Sequence, residues 1–378
     1  MNNLAFIKRA ALVILALLMP VTVTCKKQAG NNNQVEERYL IITEEGGDEK
    51  EIDVTGWEPG EEFVWLSGFG YPWQGEDSLD YRIEDGLLWV NGKLVGADLE
   101  EVAFADLSNP EEIVSVRTDA EHMLELKRFP NLTVVFPFVI KDDDLAHLKG
   151  FTNLRALYLL GPLITDAGLR HLSGLTNLRE LYLWETDITD AGFVHLKGLT
   201  NLRVLSLFET DITDAGLRHL EGLKNLRVLG LLGTDITDAG LAHLKGLTNL
   251  KGLYLNGTDV TDAGLRHLSG LTNLRVLDLG ATDITDAGLT HLKGLTNLRE
   301  LNLWYTAITD AGLKHLKGLT NLRELNLRNT DITDAGLRHL EGLKNLRMLD
   351  LWRTKITDAG EKELKKALPE CGIYRHYR

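Results

Sequence analysis

The sequence predicts a right-handed α/β solenoid, with parallel strands on its concave face, helices on its convex face and a small β-rich amino-terminal region. Three observations predict it. The tetrapeptide Thr-Asp-Ala-Gly occurs nine times from Thr165 to Gly360, each copy 24 residues after the last. Leucines within each unit alternate as in a short strand with one buried face. Helix-capping residues follow each strand, and a fixed period of about 20–50 residues indicates stacked supersecondary units.

One unit shows how each element is predicted. Leu181 and Leu183 alternate with a solvent-facing residue, which is typical of a half-buried strand. Thr189 is placed to cap a helix, Asp190 adds negative charge at its amino end, and Gly198 ends it where a positive φ is tolerated. The apolar faces of such a unit become buried only when neighbouring units stack.

The unit resembles the leucine-rich repeat, L-x-x-L-x-L-x-x-N-x-L, with threonine at Thr186 and its equivalents instead of the usual asparagine. The Ile-Thr-Asp-Ala-Gly-Leu block also resembles bacterial repeats that are abundant in planctomycete proteins. The resemblance covers 98–378, including a carboxyl-terminal cap over 361–378. It implies a non-catalytic binding protein whose ligand lies on the concave face.

Residues 1–25 are predicted to be a lipoprotein-like signal peptide. An apolar run from Ala10 to Val23 follows a basic start, and it is shorter than the roughly 20 residues that span a bilayer. Cys25 resembles the acylated cysteine of a bacterial lipoprotein, although Thr22 and Thr24 replace the leucine and small residue that this motif prefers. We expect export to the cell envelope with a lipid anchor at Cys25, at the outer membrane or cell surface. Plain secretion and an uncleaved anchor are the alternatives.

The amino-terminal region is acidic. Residues 26–35 predict a polar tether, and 36–97 predict an acidic β-rich module or amino-terminal cap with a hairpin around Asn91-Gly92. Residues 26–125 carry 25 acidic and 7 basic side chains, a net charge of −18, in a chain whose net charge is −14. This charge asymmetry marks a domain boundary, and the overall sign argues against nucleic acid as a partner.

Columns of histidine and aspartate recur but do not predict a metal site. Nine histidines from His147 to His339 each lie three residues before a helix-ending glycine, where they can bond terminal carbonyls. No cysteine, glutamate or second histidine recurs beside them with ligand spacing. The aspartates of the Asp187 column could bind calcium, but the glycine-rich ligand loops of calcium-binding solenoids are absent.

Catalytic signatures are also absent from the sequence. It has no Ser-His-Asp order, phosphate-cradling loop or dinucleotide fingerprint, so we expect no cofactor and no enzymatic activity. Two cysteines exclude a disulfide scaffold, and Cys371 is interpreted as a small buried apolar residue.

Positions that vary between repeats while facing solvent are the candidates for ligand binding. The residue between the paired strand leucines and the two residues after them should line the concave face. Two groups of aromatic and arginine side chains occupy these positions, separated by a stretch rich in glycine and alanine, and such side chains dominate binding hot spots. The predicted ligand-binding residues are Tyr158, Tyr182, Trp184, Phe208, Tyr254, Trp304, Tyr305, Arg328, Trp352 and Arg353.

The sequence therefore predicts a protein- or glycan-binding protein. An F-box-like substrate adaptor of a ubiquitin ligase is one alternative, because Ile-Thr-Asp-x-Gly-Leu repeats resemble those of such adaptors. An F-box would need a helical segment upstream, whereas 36–97 predicts strands. A purely structural surface protein is the other alternative.

Overall fold

The computed structural model describes the backbone of six strands between residues 22 and 98, and then residues 115–137 and 139–375. The chain divides into two compact units, Met1–Tyr158 and Leu159–Arg378. The signal peptide before Thr22 lies outside the described residues, so its prediction remains untested. Among the described residues, no helix is long and apolar enough to cross a membrane.

The first unit begins with a three-stranded antiparallel sheet. Its strands are β1 (Thr22–Ala29), β2 (Glu36–Thr43) and β3 (Glu49–Asp53), in that order. The last four residues of β1 are the first four of the polar segment predicted as a tether. The lipidation predicted at Cys25 remains a prediction.

The remaining strands of the first unit change from antiparallel to parallel pairing. The strands are β4 (Tyr81–Glu84), β5 (Leu87–Val90), β6 (Lys93–Asp98), β7 (Ser115–Thr118) and β8 (Val134–Pro137), with β9 (Ala156–Leu160) beginning at its end. The pairing of Val90 with Lys93 confirms the predicted hairpin, and the parallel pairs begin where β6 meets β7. Two 3₁₀ helices, His122–Arg128 and Asp142–Leu148, connect the parallel strands.

The second unit contains nine parallel strands in chain order, which confirms the predicted α/β repeat fold. Each pairs with the strand 24 residues later in constant register, so that Leu205 lies beside Leu229 and Leu229 beside Leu253. The strands are β10 (Glu180–Trp184), β11 (Val204–Ser206), β12 (Val228–Gly230), β13 (Gly252–Tyr254), β14 (Val276–Asp278), β15 (Glu300–Asn302), β16 (Glu324–Asn326), β17 (Met348–Asp350) and β18 (Gly372–Tyr374).

The helical segments between these strands are shorter than the sequence predicts. A typical repeat has one four-residue α turn followed directly by a three-residue 3₁₀ turn. The α-helices are α1 (Asp166–Leu169), α2 (Asp214–Leu217), α3 (Asp238–Leu241), α4 (Asp262–Leu265), α5 (Asp310–Leu313), α6 (Asp334–Leu337) and α7 (Asp358–Ala367). The 3₁₀ segments are Arg170–Leu172, Gly192–His195, Arg218–Leu220, Ala242–Leu244, Arg266–Leu268, Gly288–Leu292 and Lys314–Leu316.

The spacing of the leucines explains the 3₁₀ turns. Leu217, Leu220, Leu223 and Leu226 are three residues apart and all fully buried. A helix with three residues per turn places such side chains on one face, whereas an α-helix would rotate them away from one another. The prediction that Gly198 uses a positive φ is wrong, because its φ lies outside the left-handed region.

A ladder of Asp–Thr hydrogen bonds links each repeat to the next. The carboxylate of Asp190 accepts hydrogen bonds from the Thr213 backbone N–H at 2.9 Å and from the Thr213 hydroxyl at 2.6 Å. The Thr213 hydroxyl also accepts from the Ala215 N–H, which confirms the threonine caps. Eight such pairs are Asp166–Thr189, Asp190–Thr213, Asp214–Thr237, Asp238–Thr261, Asp262–Thr285, Asp286–Thr309, Asp310–Thr333 and Asp334–Thr357.

Two further columns satisfy backbone carbonyl groups. The buried Thr210 hydroxyl donates to the Leu207 carbonyl at 2.8 Å, and its equivalents in the later repeats do the same, which explains why threonine can replace the usual asparagine. On the helical side, the Asn225 amide donates to the Thr200 carbonyl of the preceding repeat at 2.9 Å. The polar residues that recur in every repeat therefore hold the stack together.

Helix α7 and strand β18 follow the last full repeat. Helix α7 and strand β18 bury Leu368 and Cys371, and burial raises the pKa of the Cys371 thiol to about 11. Arg375 fastens the cap, because its guanidinium donates to the Ile356 carbonyl at 2.9 Å and to Glu361 at 3.0 Å and contacts Asp358.

Candidate functional site

The ten predicted ligand-binding residues fall into two groups that differ in exposure. Tyr158 lies in the first unit and the others lie in the second. Four are buried, namely Tyr158, Tyr182, Trp184 and Phe208. Six are partly or largely exposed, namely Tyr254, Trp304, Tyr305, Arg328, Trp352 and Arg353.

The first aromatic group does not form the open surface that the sequence predicts. Trp184 and Phe208 stack with their ring centroids 6.1 Å apart and are only 6% and 9% exposed. The Trp184 indole N–H donates to the Ser206 hydroxyl at 2.6 Å, and Tyr182 packs edge-on against Trp184. Tyr158 is likewise buried, with its ring 5.1 Å from that of Phe136. Tyr182, Trp184 and Phe208 pack against one another, and all four of these buried rings leave little surface for a ligand.

The glycines between the two aromatic groups make room for neighbouring rings. A Cβ atom at Gly230 would lie 2.3 Å from the Phe208 ring, and one at Gly280 would lie 2.1 Å from the Trp304 indole. Phe208 and Trp304 therefore cover the backbone of an adjacent repeat. Two of the glycines that separate the groups in the sequence, Gly230 and Gly280, therefore lie beneath these rings.

Five of the six exposed residues, all except Tyr254, follow three consecutive strands, and we call them the arginine–tryptophan cluster: Trp304, Tyr305, Arg328, Trp352 and Arg353. The guanidinium carbons of Arg328 and Arg353 lie 3.9 and 4.1 Å from the Trp352 ring centroid. Cation–π contacts of this kind contribute roughly 0.5–1 kcal/mol each at exposed sites. Trp304 and Tyr305 contact each other at 5.9 Å, and Tyr305 is 60% exposed. Among the described residues, neither guanidinium is ion-paired with a carboxylate.

Side chains on the strands hold the backbone of the cluster in place. The side-chain oxygens of Asn302, Asn326 and Asp350 each accept a hydrogen bond from the backbone N–H two residues later, at 3.2, 3.0 and 2.9 Å. The donors belong to Trp304, Arg328 and Trp352, which is the pattern of an Asx turn. These polar strand residues therefore fix the positions from which the cluster side chains project.

Tyr305 and Arg353 occupy a backbone position that favours glycine. Their φ angles are 52° and 57°, in the left-handed region, and glycine occupies the same turn at Gly233 and Gly257. A bulky residue in this region costs about 1–2 kcal/mol relative to an unstrained conformation. Glu185, Glu209, Ala281 and Asn329 occupy the same turn with φ angles of 50–57°, so the left-handed conformation belongs to the repeat and only the side chain at this position differs.

The sequence did not reveal a buried polar cluster beside Trp304. Asp278 is 1% exposed, its Oδ1 atom accepts from the Gly280 N–H at 2.9 Å, and Asn256 and Asn302 lie next to its carboxylate. Burial raises the pKa of Asp278 to about 6, although these hydrogen bonds partly oppose the rise. The only signal in the sequence was a charged residue between two strand leucines.

Asp278→Asn is expected to stabilise the protein at pH 8 by about 2–3 kcal/mol, because the folded state must bury an ionised carboxylate above pH 6. Its folded pKa is raised, so the wild type gains stability as the pH falls from about 6 towards 3.8. The difference in the free energy of unfolding between variant and wild type, measured by urea denaturation, should therefore vanish near pH 4. Asparagine already occupies the equivalent positions 302 and 326, and the exposed Asp235→Asn is the control. A loss of stability at pH 8 would contradict this account.

Histidines of the recurring column make local side-chain contacts in the described repeats. The Arg218 side chain donates to His219 at 3.4 Å, and His243 pairs with Glu221 at 2.6 Å. Partial burial and neighbouring cations lower the pKa of His219, His267 and His315. Among the described residues, no three histidine, cysteine, aspartate or glutamate side chains are placed to hold one metal ion.

Comparisons with known proteins agree with the repeat geometry. Two leucine-rich-repeat family models match, one over residues 296–356 and the other over residues 198–220 and 270–292. No curated protein matches this chain.

Among solved structures, the chain is similar to an internalin (inlF) from Listeria monocytogenes, with 24% identity and a TM-score of 0.48 over 67% of this chain and 83% of that one. It is also similar to an internalin C2 (inlC2) from the same organism, with 30% identity and a TM-score of 0.44 over 58% of this chain and 84% of that one. The matched family models, together with the constant strand-and-turn register of the second unit, show that this chain is built from leucine-rich repeats.

Proposed function

We propose that this chain is a non-catalytic binding protein of a bacterial cell envelope, which holds a protein or glycan ligand on the strand side of its last repeats. The observation that carries the proposal is the arginine–tryptophan cluster. Its residues occupy positions that vary between repeats, whereas the residues of the hydrogen-bond ladders recur in every one. Tryptophan, tyrosine and arginine are also the side chains that dominate binding hot spots.

An exposed aromatic side chain in the cluster supports a binding role over incidental variation. Tyr305 is 60% exposed and contacts Trp304, so it contributes little to core packing. Glu209 has the same φ of 52° and is exposed outside the cluster, so the aromatic chemistry of Tyr305, and not its backbone conformation, supports contact with a partner. The buried first group makes no comparable contribution, so the proposed site is limited to the last repeats and to Tyr254.

The envelope location is supported by the amino-terminal sequence, with its basic start, apolar run and Cys25. The F-box-like alternative receives no support from the sequence, because 36–97 predicts strands rather than the helical segment that an F-box needs. A purely structural surface role would leave the exposed cluster without a function.

Tyr305→Gly tests the proposal without damaging the fold, because glycine suits the left-handed turn and should leave stability unchanged or raise it by about 1 kcal/mol. We expect the full-length Tyr305→Gly protein to lose most of its capture of partners from envelope extract. The separate Trp304→Ala variant should also lose capture. Glu209→Gly is the matched control, because Glu209 is exposed and has the same φ of 52° outside the cluster. Equal capture by all four proteins would overturn the proposal.

A further inference from the structure

The arginine–tryptophan cluster indicates the chemistry of the ligand as well as its location. Arg328 and Arg353 are two guanidinium groups held against one ring, and neither is ion-paired with a carboxylate among the described residues. The nearest cation along the chain, Lys355, is already ion-paired with Asp331 at 2.7 Å. Arginine is suited to planar, bidentate recognition of carboxylates. We infer that this cluster binds an acidic protein segment, whose carboxylates pair with Arg328 and Arg353.

The geometry disfavours a neutral glycan at this position. Sugars stack on open tryptophan faces, but two guanidinium groups lie within 4.1 Å of the Trp352 ring centroid and occupy that space. Stacking on the ring restrains each guanidinium, so that less side-chain freedom is lost when a carboxylate binds. The cluster is therefore arranged to present N–H donors rather than an aromatic surface.

The neighbouring aromatic residues favour a protein over an acidic polysaccharide. Tyr305 is 60% exposed and Trp304 is half-buried beside it, which adds an apolar contact next to the two cations. A peptide that alternates acidic and aromatic side chains can use both features. An acidic polysaccharide has no apolar side chains to bury beside Tyr305 and Trp304.

The charge of the whole chain makes this attraction local. The net charge is −14, so the chain as a whole repels an acidic ligand. Such a ligand is attracted only where basic groups are concentrated. The carboxylate inside the cluster is Asp350, which is half-buried and already accepts the Trp352 N–H. The charge of Arg328 limits the rise in the pKa of Asp350 that burial causes, so this carboxylate competes with an acidic ligand for Arg328.

The test uses the full-length chain and a fluorescein-labelled peptide of alternating glutamate and tyrosine, with a glutamine–tyrosine peptide as the uncharged probe. We expect fluorescence polarisation at low salt to show at least about tenfold tighter binding of the acidic peptide. Substituting Arg328→Gln and Arg353→Gln together should remove that preference, and raising the salt concentration should weaken it. The double variant Arg266→Gln and Arg338→Gln removes the same charge from the helical side and should bind like the wild type.

Equal binding of the two peptides, or an unchanged preference in the Arg328 and Arg353 variant, would overturn the inference. Binding of an oligogalacturonate without binding of the acidic peptide would overturn it as well, because the anionic ligand would then be a glycan. The inference rests on the proposed function but fails separately from it. Loss of envelope capture in Tyr305→Gly, with no charge preference between the peptides, would leave the binding site in place and remove only its acidic specificity.

Discussion

Removal of residues 361–378 is expected to unfold the last repeats and make the protein aggregate. The deletion takes away β18, most of α7 and the buried side chains Leu368 and Cys371. It leaves Leu349 and Leu351, which are fully buried in the intact chain, at an open end of the stack. Capping units of repeat proteins are required for solubility because they cover such ends.

The expected magnitude follows from the area uncovered. Exposing three or four large aliphatic side chains costs about 5–12 kcal/mol at 1.5–3 kcal/mol each. The deletion also removes the Arg375 hydrogen bonds to the Ile356 carbonyl and to Glu361, and opens the β17 edge that β18 now pairs. An open, partly apolar strand edge is a template for pairing with another chain.

A larger internal deletion provides the comparison. Removing Leu226 to Asn249 takes out 24 residues, which is one whole repeat. Asp214 would then face Thr261, which is chemically identical to its present partner Thr237, and Leu205 would pair with Leu253. We expect this variant to remain soluble and folded, as judged by circular dichroism and size-exclusion chromatography with light scattering. A soluble, fully folded cap deletion, or an aggregated repeat deletion, would contradict the stacking account.

The sequence predicted the fold of the second unit because every repeat contains the same pattern of leucines and capping residues. The leucines, the Thr189-type caps and the 24-residue period all specify one strand and one short helical segment per unit. The extent of the helix was less predictable, since α and 3₁₀ turns differ by only part of a residue per turn and the choice depends on the packing of Leu220 and Leu223. The role of Asp190 was also missed, because its partner Thr213 lies in the next repeat.

The candidate site was only partly predictable, because the sequence identifies the positions near the strands but not their exposure. Trp184 and Trp304 occupy equivalent positions of their repeats, yet Trp184 is buried against Phe208 and Ser206 whereas Trp304 is partly exposed. That difference depends on which neighbouring side chains are large enough to cover each ring. The burial of Asp278 likewise depends on side chains of the neighbouring repeats, so the sequence of its own repeat does not predict it.

Gly264→Ala is expected to destabilise the protein by about 2–3 kcal/mol, although the substitution adds only one methyl group. A Cβ atom at Gly264 would lie 2.3 Å from the Oδ1 atom of Asp238. That carboxylate accepts hydrogen bonds from the backbone N–H of Thr261 at 2.8 Å and from its hydroxyl at 2.7 Å. Asp238 must therefore move away from Thr261 to accommodate the methyl group, and both inter-repeat hydrogen bonds are lost.

Gly270→Ala is the matched control, because Gly270 lies six residues later in the same repeat. Its added Cβ would meet no heavy atom within 4 Å, and its φ lies outside the left-handed region. We expect Gly270→Ala to leave the urea midpoint unchanged or to raise stability by up to about 1 kcal/mol, since alanine reduces the entropy of the unfolded chain. A similar loss in both variants would show that the cost comes from glycine removal in general.

A double variant separates the hydrogen-bond ladder from simple crowding. Asp238→Ala removes the carboxylate, so the methyl group of Gly264→Ala no longer meets the Oδ1 atom. We expect the second substitution to cost less than about 1 kcal/mol in that background, which gives a coupling free energy of about 1–2 kcal/mol between the two positions. Additive losses in urea denaturation would place the strain elsewhere, for example against the Leu241 side chain at 3.1 Å. Coupling would instead explain why aspartate and glycine recur together in the Thr-Asp-Ala-Gly tetrapeptide, since each glycine leaves space for the aspartate of the preceding repeat.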